Sequence, residues 1–129
     1  MPPATSLSTV ESPSELAVWD ASTLTGLVGD NPAIHRRLLE KFLLNAQAQV
    51  AGIGTAAQAS DGPTLNSLAH TLKSAARSVG AMRLGEVSEA VEMAGQTNDA
   101  ARYTPLARAL PQALADAQAQ IRAMAFEKY

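Results

Sequence analysis

The sequence holds two histidines, His35 and His70, and no cysteine. Nucleophilic or proton-transfer chemistry near neutral pH therefore falls first on an imidazole, whose reference pKa is about 6.5. His70 stands in the run Leu68-Ala69-His70-Thr71-Leu72-Lys73-Ser74-Ala75-Ala76-Arg77. With about 100° per residue in an α-helix, Leu65, Leu68, Ala69, Leu72, Ala75, Ala76 and Val79 gather into one apolar stripe. His70 falls roughly 160° from the centre of that stripe, facing water. Its helical neighbours are Lys73 and Ser74 on one side and Ser67 and Asn66 on the other. Arg77 follows two turns along. His35, among Arg36, Arg37 and Glu40, reads as an ordinary surface histidine and receives no role.

An exposed imidazole flanked by small side chains and two cations suits few chemistries. Metal binding finds no support in the pattern: there is no Glu-x-x-His or His-x-x-x-His pair, and bundle metal sites need inward-pointing ligands. Ser67 and Ser74 lie within a turn of His70, yet no nucleophile elbow is present, and a convex helix surface supplies no oxyanion hole. No glycine-rich phosphate loop occurs. Phosphoryl carriage uses the whole neighbourhood. A neutral imidazole is the nucleophile, Lys73 screens the added negative charge and Arg77 helps from a distance. Ser67 and Ser74 leave room for a partner's active site. Exposure is needed because donor and acceptor are other proteins, which supply metal and transition-state stabilisation.

The elements that must position His70 are helical. The chain has 129 residues, 47% hydrophobic but only 4% aromatic; alanine and leucine dominate, and both favour helix. The length predicts one domain, and no period-2 alternation predicts a strand. Residues 1–17, rich in Pro, Ser and Thr, read as a flexible leader or linker, with the domain over 18–129. A short helix is predicted from an Asp20 cap, with Trp19 and Leu24 as a hydrophobic staple and Trp19 as a lid on the bundle. Leu24, Leu27 and Val28 give its apolar face, and Gly29 ends it. Asn31-Pro32 opens a helix over about 32–58 carrying Ile34, Leu38, Leu39, Phe42, Leu43, Ala46, Val50, Ile53 and Ala57. The His70 helix follows over about 63–79, with Gly80 as its C-cap. The next spans Met82 to Ala94, closed by Gly95, and 96–102 is a polar connection. The last helix has two candidate starts, Thr104-Pro105 and Pro111, with a kink or short break expected near 110 and then a long helix through Leu114, Ala117, Ile121 and Met124 to about Phe126. Short connections between four substantial helices predict an all-α, antiparallel up-and-down four-helix bundle with a short additional N-terminal helix.

A formal net charge of −2 with no basic block argues against nucleic acid. No run of 18 apolar residues suits a membrane span, and the start lacks signal-peptide character; the expected location is the cytoplasm.

The segment Ala69-His70-Thr71-Leu72-Lys73-Ser74-Ala75-Ala76, followed by Val79-Gly80-Ala81 and Leu84, resembles the signature of the histidine-containing phosphotransfer (HPt) domain family. Upstream, Trp19-Asp20, Leu24, Leu27, Val28-Gly29-Asp30, Leu38-Leu39 and Phe42 resemble the first two helices of such domains, so the likeness spans about residues 18–125. It implies a phosphorelay intermediate that takes a phosphoryl group on His70 from a receiver-domain aspartate and passes it to another receiver domain. Receiver domains of response regulators or of a hybrid histidine kinase are the implied partners. Magnesium is expected in the receiver rather than in this chain, which needs no cofactor and has no ATP-dependent kinase activity of its own. Lys73 matches the family lysine beside the phosphorylated histidine. Glu92 matches a position where Gln or Glu contacts the imidazole, although by residue type alone it reads as a surface carboxylate. Ser74 departs from the pattern, standing where the family usually has Gly, and narrows access to the ring. A sensor kinase's phosphoacceptor and dimerisation helices, or a non-catalytic interaction module, are the alternatives. Against the first, His70 is followed by Thr71 rather than an acidic residue, and four helices suffice for a monomer. Against the second, His70 and Lys73 are both present.

Overall fold

The computed structural model describes residues 16–126, all helix and connection with no strand among them. In chain order the helices are α1 (Ser22–Val28), α2 (Pro32–Gln58), α3 (Gly62–Val79), α4 (Met82–Gln96) and α5 (Ala100–Ile121). A wider π-turn, Arg122–Phe126, closes the described chain. Each of α2, α3, α4 and α5 packs against two of the others in a closed ring, and α1 lies on α3. The core between them is aliphatic: Leu39, Ile53, Leu65, Ala69, Leu72, Leu84, Val91, Leu110 and Ile121 have essentially no solvent exposure. Among the described residues no helix is long and apolar enough to cross a membrane.

Caps fix where the helices begin. The Asn31 side chain accepts from the amides of Ala33 and Ile34, with Pro32 at the first helical position. The Asp61 carboxylate accepts from the Thr64 amide at the head of α3, and hydrogen bonding from the Thr64 side chain, then from its amide, lowers its pKa from the ordinary carboxyl value. Asp20 acts one position early. Its carboxylate takes both the amide and hydroxyl of Ser22, and α1 starts at Ser22.

The chain entering α1 is strapped across the α3–α4 corner. Trp19 Nε1 donates to the Val79 carbonyl at 2.8 Å, and the Asp20 amide donates to the Gly80 carbonyl at 2.8 Å. Gly80 has φ +94°, and a Cβ there would overlap the Asp20 carbonyl oxygen. It must therefore be glycine twice over, as a left-handed C-cap and as the floor under the strap. Trp19 is buried as the expected lid. Most of the predicted leader, residues 1–15, lies outside the described residues. Its last two, Leu16 and Ala17, lend their carbonyls to Arg83.

Four expectations change. Of the α1 face only Leu24 is buried; Leu27 is 65% exposed and Val28 is exposed too, because a seven-residue helix on one neighbour covers little more than one turn. Ile34 at the head of α2 is likewise exposed. The last helix begins at Ala100, capped by Asp99, and is unbroken in secondary structure through Pro105 and Pro111. Both prolines sit on the exposed face, where water can replace the missing donor, while Tyr103, Ala107, Leu110 and Leu114 hold the inner face. Met124 is exposed and Ala125 buried in its place, since the π-turn widens the last turn by about a residue.

Candidate functional site

The site lies along the seam between α3 and α4, where small residues let two helices come close. A Cβ on Gly95 would lie 2.8 Å from Leu65 Cδ2 and 3.1 Å from Asn66 Cβ; one on Gly85 would lie 3.0 Å from Arg77 Cγ. Gly95 thus serves close approach rather than helix termination, and α4 continues to Gln96. Between these glycines stand Ser88, fully buried with its hydroxyl bonded to the Leu84 carbonyl, and Glu92. Asn66 ties the helices directly, its amide donating to the Glu92 carbonyl at 2.8 Å.

This seam delivers the Glu92 side chain to His70 and Lys73. One carboxylate oxygen, Oε2, lies 2.7 Å from His70 Nδ1; the other, Oε1, lies 2.6 Å from Lys73 Nζ. The His70 side chain is 61% exposed, that of Lys73 only 18%, and that of Glu92 10%. Burial, the largest influence on the Glu92 carboxyl, pushes its pKa up. Hydrogen bonds from Lys73 and His70 and their charges together outweigh it, holding the group below the ordinary carboxyl value. Glu92 is therefore ionised at neutral pH. An ionised carboxylate only accepts hydrogen bonds, so the ring proton belongs on Nδ1. That tautomer leaves the lone pair on Nε2, on a side chain open to solvent.

Each residue singled out in the sequence now has a place. His70 projects outward as predicted. Ser74 is exposed beside it, its backbone carbonyl accepting from the Ser78 hydroxyl. Lys73 is drawn in against Glu92. Arg77 is not brought to His70: its Nη2 lies 2.9 Å from Glu89 and 3.6 Å from Glu86, its stem filling the notch above Gly85. Glu92 is a buried residue, not the surface carboxylate its type suggests. Residue-level reading gave Asn66, Glu86 and Glu89 no such tasks. A signal was available, since Glu86, Glu89 and Glu92 recur every three residues on one helix, facing Lys73 and Arg77 four apart on the other. His35 turns inward locally, its Nε2 2.6 Å from the Gly29 carbonyl at the end of α1. It lines a cavity of about 490 Å³ with Trp19, Asp30, Pro32 and Met124, which shares no lining residue with the His70 site.

Across the crest of α3 from the carboxylates lies an apolar groove of about 330 Å³. Thr71, Ala75 and Ser78 of α3 form one wall, Leu38 and Phe42 of α2 the other, and Leu27 caps one end.

The family model described as Hpt domain matches residues 37–120. Among solved structures, the fold is similar to that of histidine-containing phosphotransfer protein B from Pseudomonas aeruginosa PAO1, with a TM-score of 0.75 and 21% sequence identity, covering 87% of this chain and 96% of that one. Comparison with curated proteins gives no match.

Proposed function

Since this chain belongs to the Hpt domain family and is a phosphorelay intermediate, we propose that His70 Nε2 carries the phosphoryl group. The observation that carries this reading is the Glu92 carboxylate seated on Nδ1 at 2.7 Å. With the proton held on Nδ1, the Nε2 lone pair attacks the phosphorus of a receiver's aspartyl phosphate. The new N–P bond forms as the P–O bond breaks, and the electron pair leaves with the aspartate carboxylate. No proton has to move. The ring becomes cationic, and the anionic oxygen of Glu92 beside Nδ1–H stabilises that charge. A second receiver aspartate reverses the same step. Magnesium and the donors that stabilise the transferring group come with the receiver, so this chain acts as a carrier without kinase activity of its own.

The groove beside Thr71 and Ala75 supplies an apolar footing for a receiver docked over His70, with exposed Leu27 at its end. The register of α3 on α4, from Arg77 beside Gly85 to Leu65 beside Gly95, supports an antiparallel arrangement. Extended through the short connections, it supports an up-and-down four-helix bundle and a monomer, because one chain closes its own core.

The test is phosphate acceptance by His70→Gln from a radiolabelled, phosphorylated receiver domain. The variant keeps its helical circular dichroism and takes up no label. Uptake at the wild-type rate would place the phosphoryl group elsewhere.

A further inference from the structure

Resting on that reading of His70, we infer that Lys73 works through Glu92 as a positioning residue and does not hold the phosphoryl group. Position alone suggests the opposite, since a lysine one turn from a phosphorylated histidine is a natural phosphate screen. The geometry assigns its ammonium to another anion. Lys73 Nζ lies 2.6 Å from Glu92 Oε1, with the lysine side chain 82% covered and the carboxylate 90% covered. A swing to the phosphoryl group would strip a nearly buried carboxylate of its ammonium and leave Oε1 without its partner, and breaking such a covered pair is strongly unfavourable. The phosphorylated atom is also Nε2, the ring nitrogen away from Glu92 and its lysine.

The facing groups are few. From α3 they are His70 and Lys73 themselves; from α4 they are Glu92 and, a turn before it, Glu89, which is engaged by Arg77. Each oxygen of Glu92 thus has one partner. Lys73 keeps Glu92 ionised at neutral pH, Glu92 keeps the proton on Nδ1, and Nδ1–H keeps Nε2 nucleophilic. Without the ammonium, the covered carboxyl takes up a proton more readily. A protonated carboxyl can donate to Nδ1, which drives the ring toward the Nε2–H tautomer that cannot attack.

The experiment is a double-mutant cycle of Lys73→Met and Glu92→Gln, with Lys73→Arg as the conservative control. It reads transfer rate from a phosphorylated receiver, phosphohistidine lifetime, and ring ¹⁵N shifts of unphosphorylated His70 at the neutral pH of the transfer assay. Lys73→Met should slow transfer about tenfold in the wild-type background, a change of about 1.4 kcal/mol in barrier. In the Glu92→Gln background the same change should cost less than about twofold. The ¹⁵N shifts should move toward Nε2–H in Lys73→Met and return in Lys73→Arg, a signature that a general loss of stability does not produce. Phosphohistidine lifetime should stay within about twofold of wild type in Lys73→Met, there being no ammonium on the phosphoryl group to lose. Equal factors in both backgrounds, an unmoved tautomer, or a markedly altered lifetime in Lys73→Met would each overturn the assignment. Failure here with His70→Gln still inert would leave the phosphorylation site standing; label uptake by His70→Gln would remove both.

Discussion

Replacing Gly80 by Ala should remove a large share of the domain's stability without touching the chemistry at His70. Gly80 adopts φ +94°, a region that costs an L-residue about 1–2 kcal/mol. The added Cβ would also overlap the Asp20 carbonyl oxygen and crowd Thr23 Cβ at 3.2 Å, so the strap must lift. Lifting it breaks the bonds from the Asp20 amide to Gly80 and from Trp19 Nε1 to Val79, each worth about 1 kcal/mol net. Trp19, 7% exposed, then loses part of its burial, worth about another 1 kcal/mol. The whole comes to roughly 4 kcal/mol, out of the 5–15 kcal/mol typical of a domain, and should lower Tm by about 15 °C. Trp19 is the only tryptophan, so a red-shifted native emission reports the lifted strap directly. Urea unfolding followed by circular dichroism gives the free energy. Phosphotransfer per folded molecule, measured in the cold, should stay within about twofold of wild type. A variant within about 1 kcal/mol of wild type, with unchanged Trp19 emission, would refute the account of this glycine.

Ser74→Gly should speed transfer from a receiver by clearing the hydroxymethyl group beside the ring, at a stability cost of about 0.5 kcal/mol for glycine inside a helix; stopped-flow or quenched-flow rates equal to or slower than wild type would show that Ser74 does not crowd docking. Acidification should weaken the fold through Glu92. Its folded pKa is depressed, so its contribution is complete above the unfolded carboxyl value and is lost as pH falls through the folded one. The stability gap between wild type and Glu92→Gln in urea titrations should therefore shrink from pH 7 toward pH 3, and a gap that stayed constant or grew would contradict the ion-pair assignment.

How far the sequence could be read depended on the reach of each signal. The α3 stripe from Leu65 to Val79 is local and periodic, so burial of Leu65, Ala69, Leu72, Ala76 and Val79 followed directly, as did the outward His70. The caps at Asn31 and Asp61 and the C-cap at Gly80 are contacts within a few residues, and they too were legible. The prolines of α5 misled, because local propensity predicts a break where burial of Tyr103, Ala107 and Leu110 on the opposite face holds the helix whole. Met124 and Leu27 misled for a related reason: apolar character does not say whether a neighbour is there to cover it.

By itself, then, the sequence determined the helices, their inner faces, and an imidazole directed at water, because these follow from the 3.6-residue period and from contacts a few residues long. The resemblance put Lys73 and Glu92 near that imidazole, but only the tertiary structure decided how they are paired around it. Glu92 lies 22 residues from His70, and it reaches Nδ1 only because Gly85, Ser88 and Gly95 let α4 settle closely on α3. The same approach draws Lys73 inward to the carboxylate and turns Arg77 to Glu89 and Glu86. Residue types named the candidates for charge compensation. Which anion each cation serves is set by distances of a few ångströms between side chains on different helices, and in a covered site those distances determine which charges can be held at all.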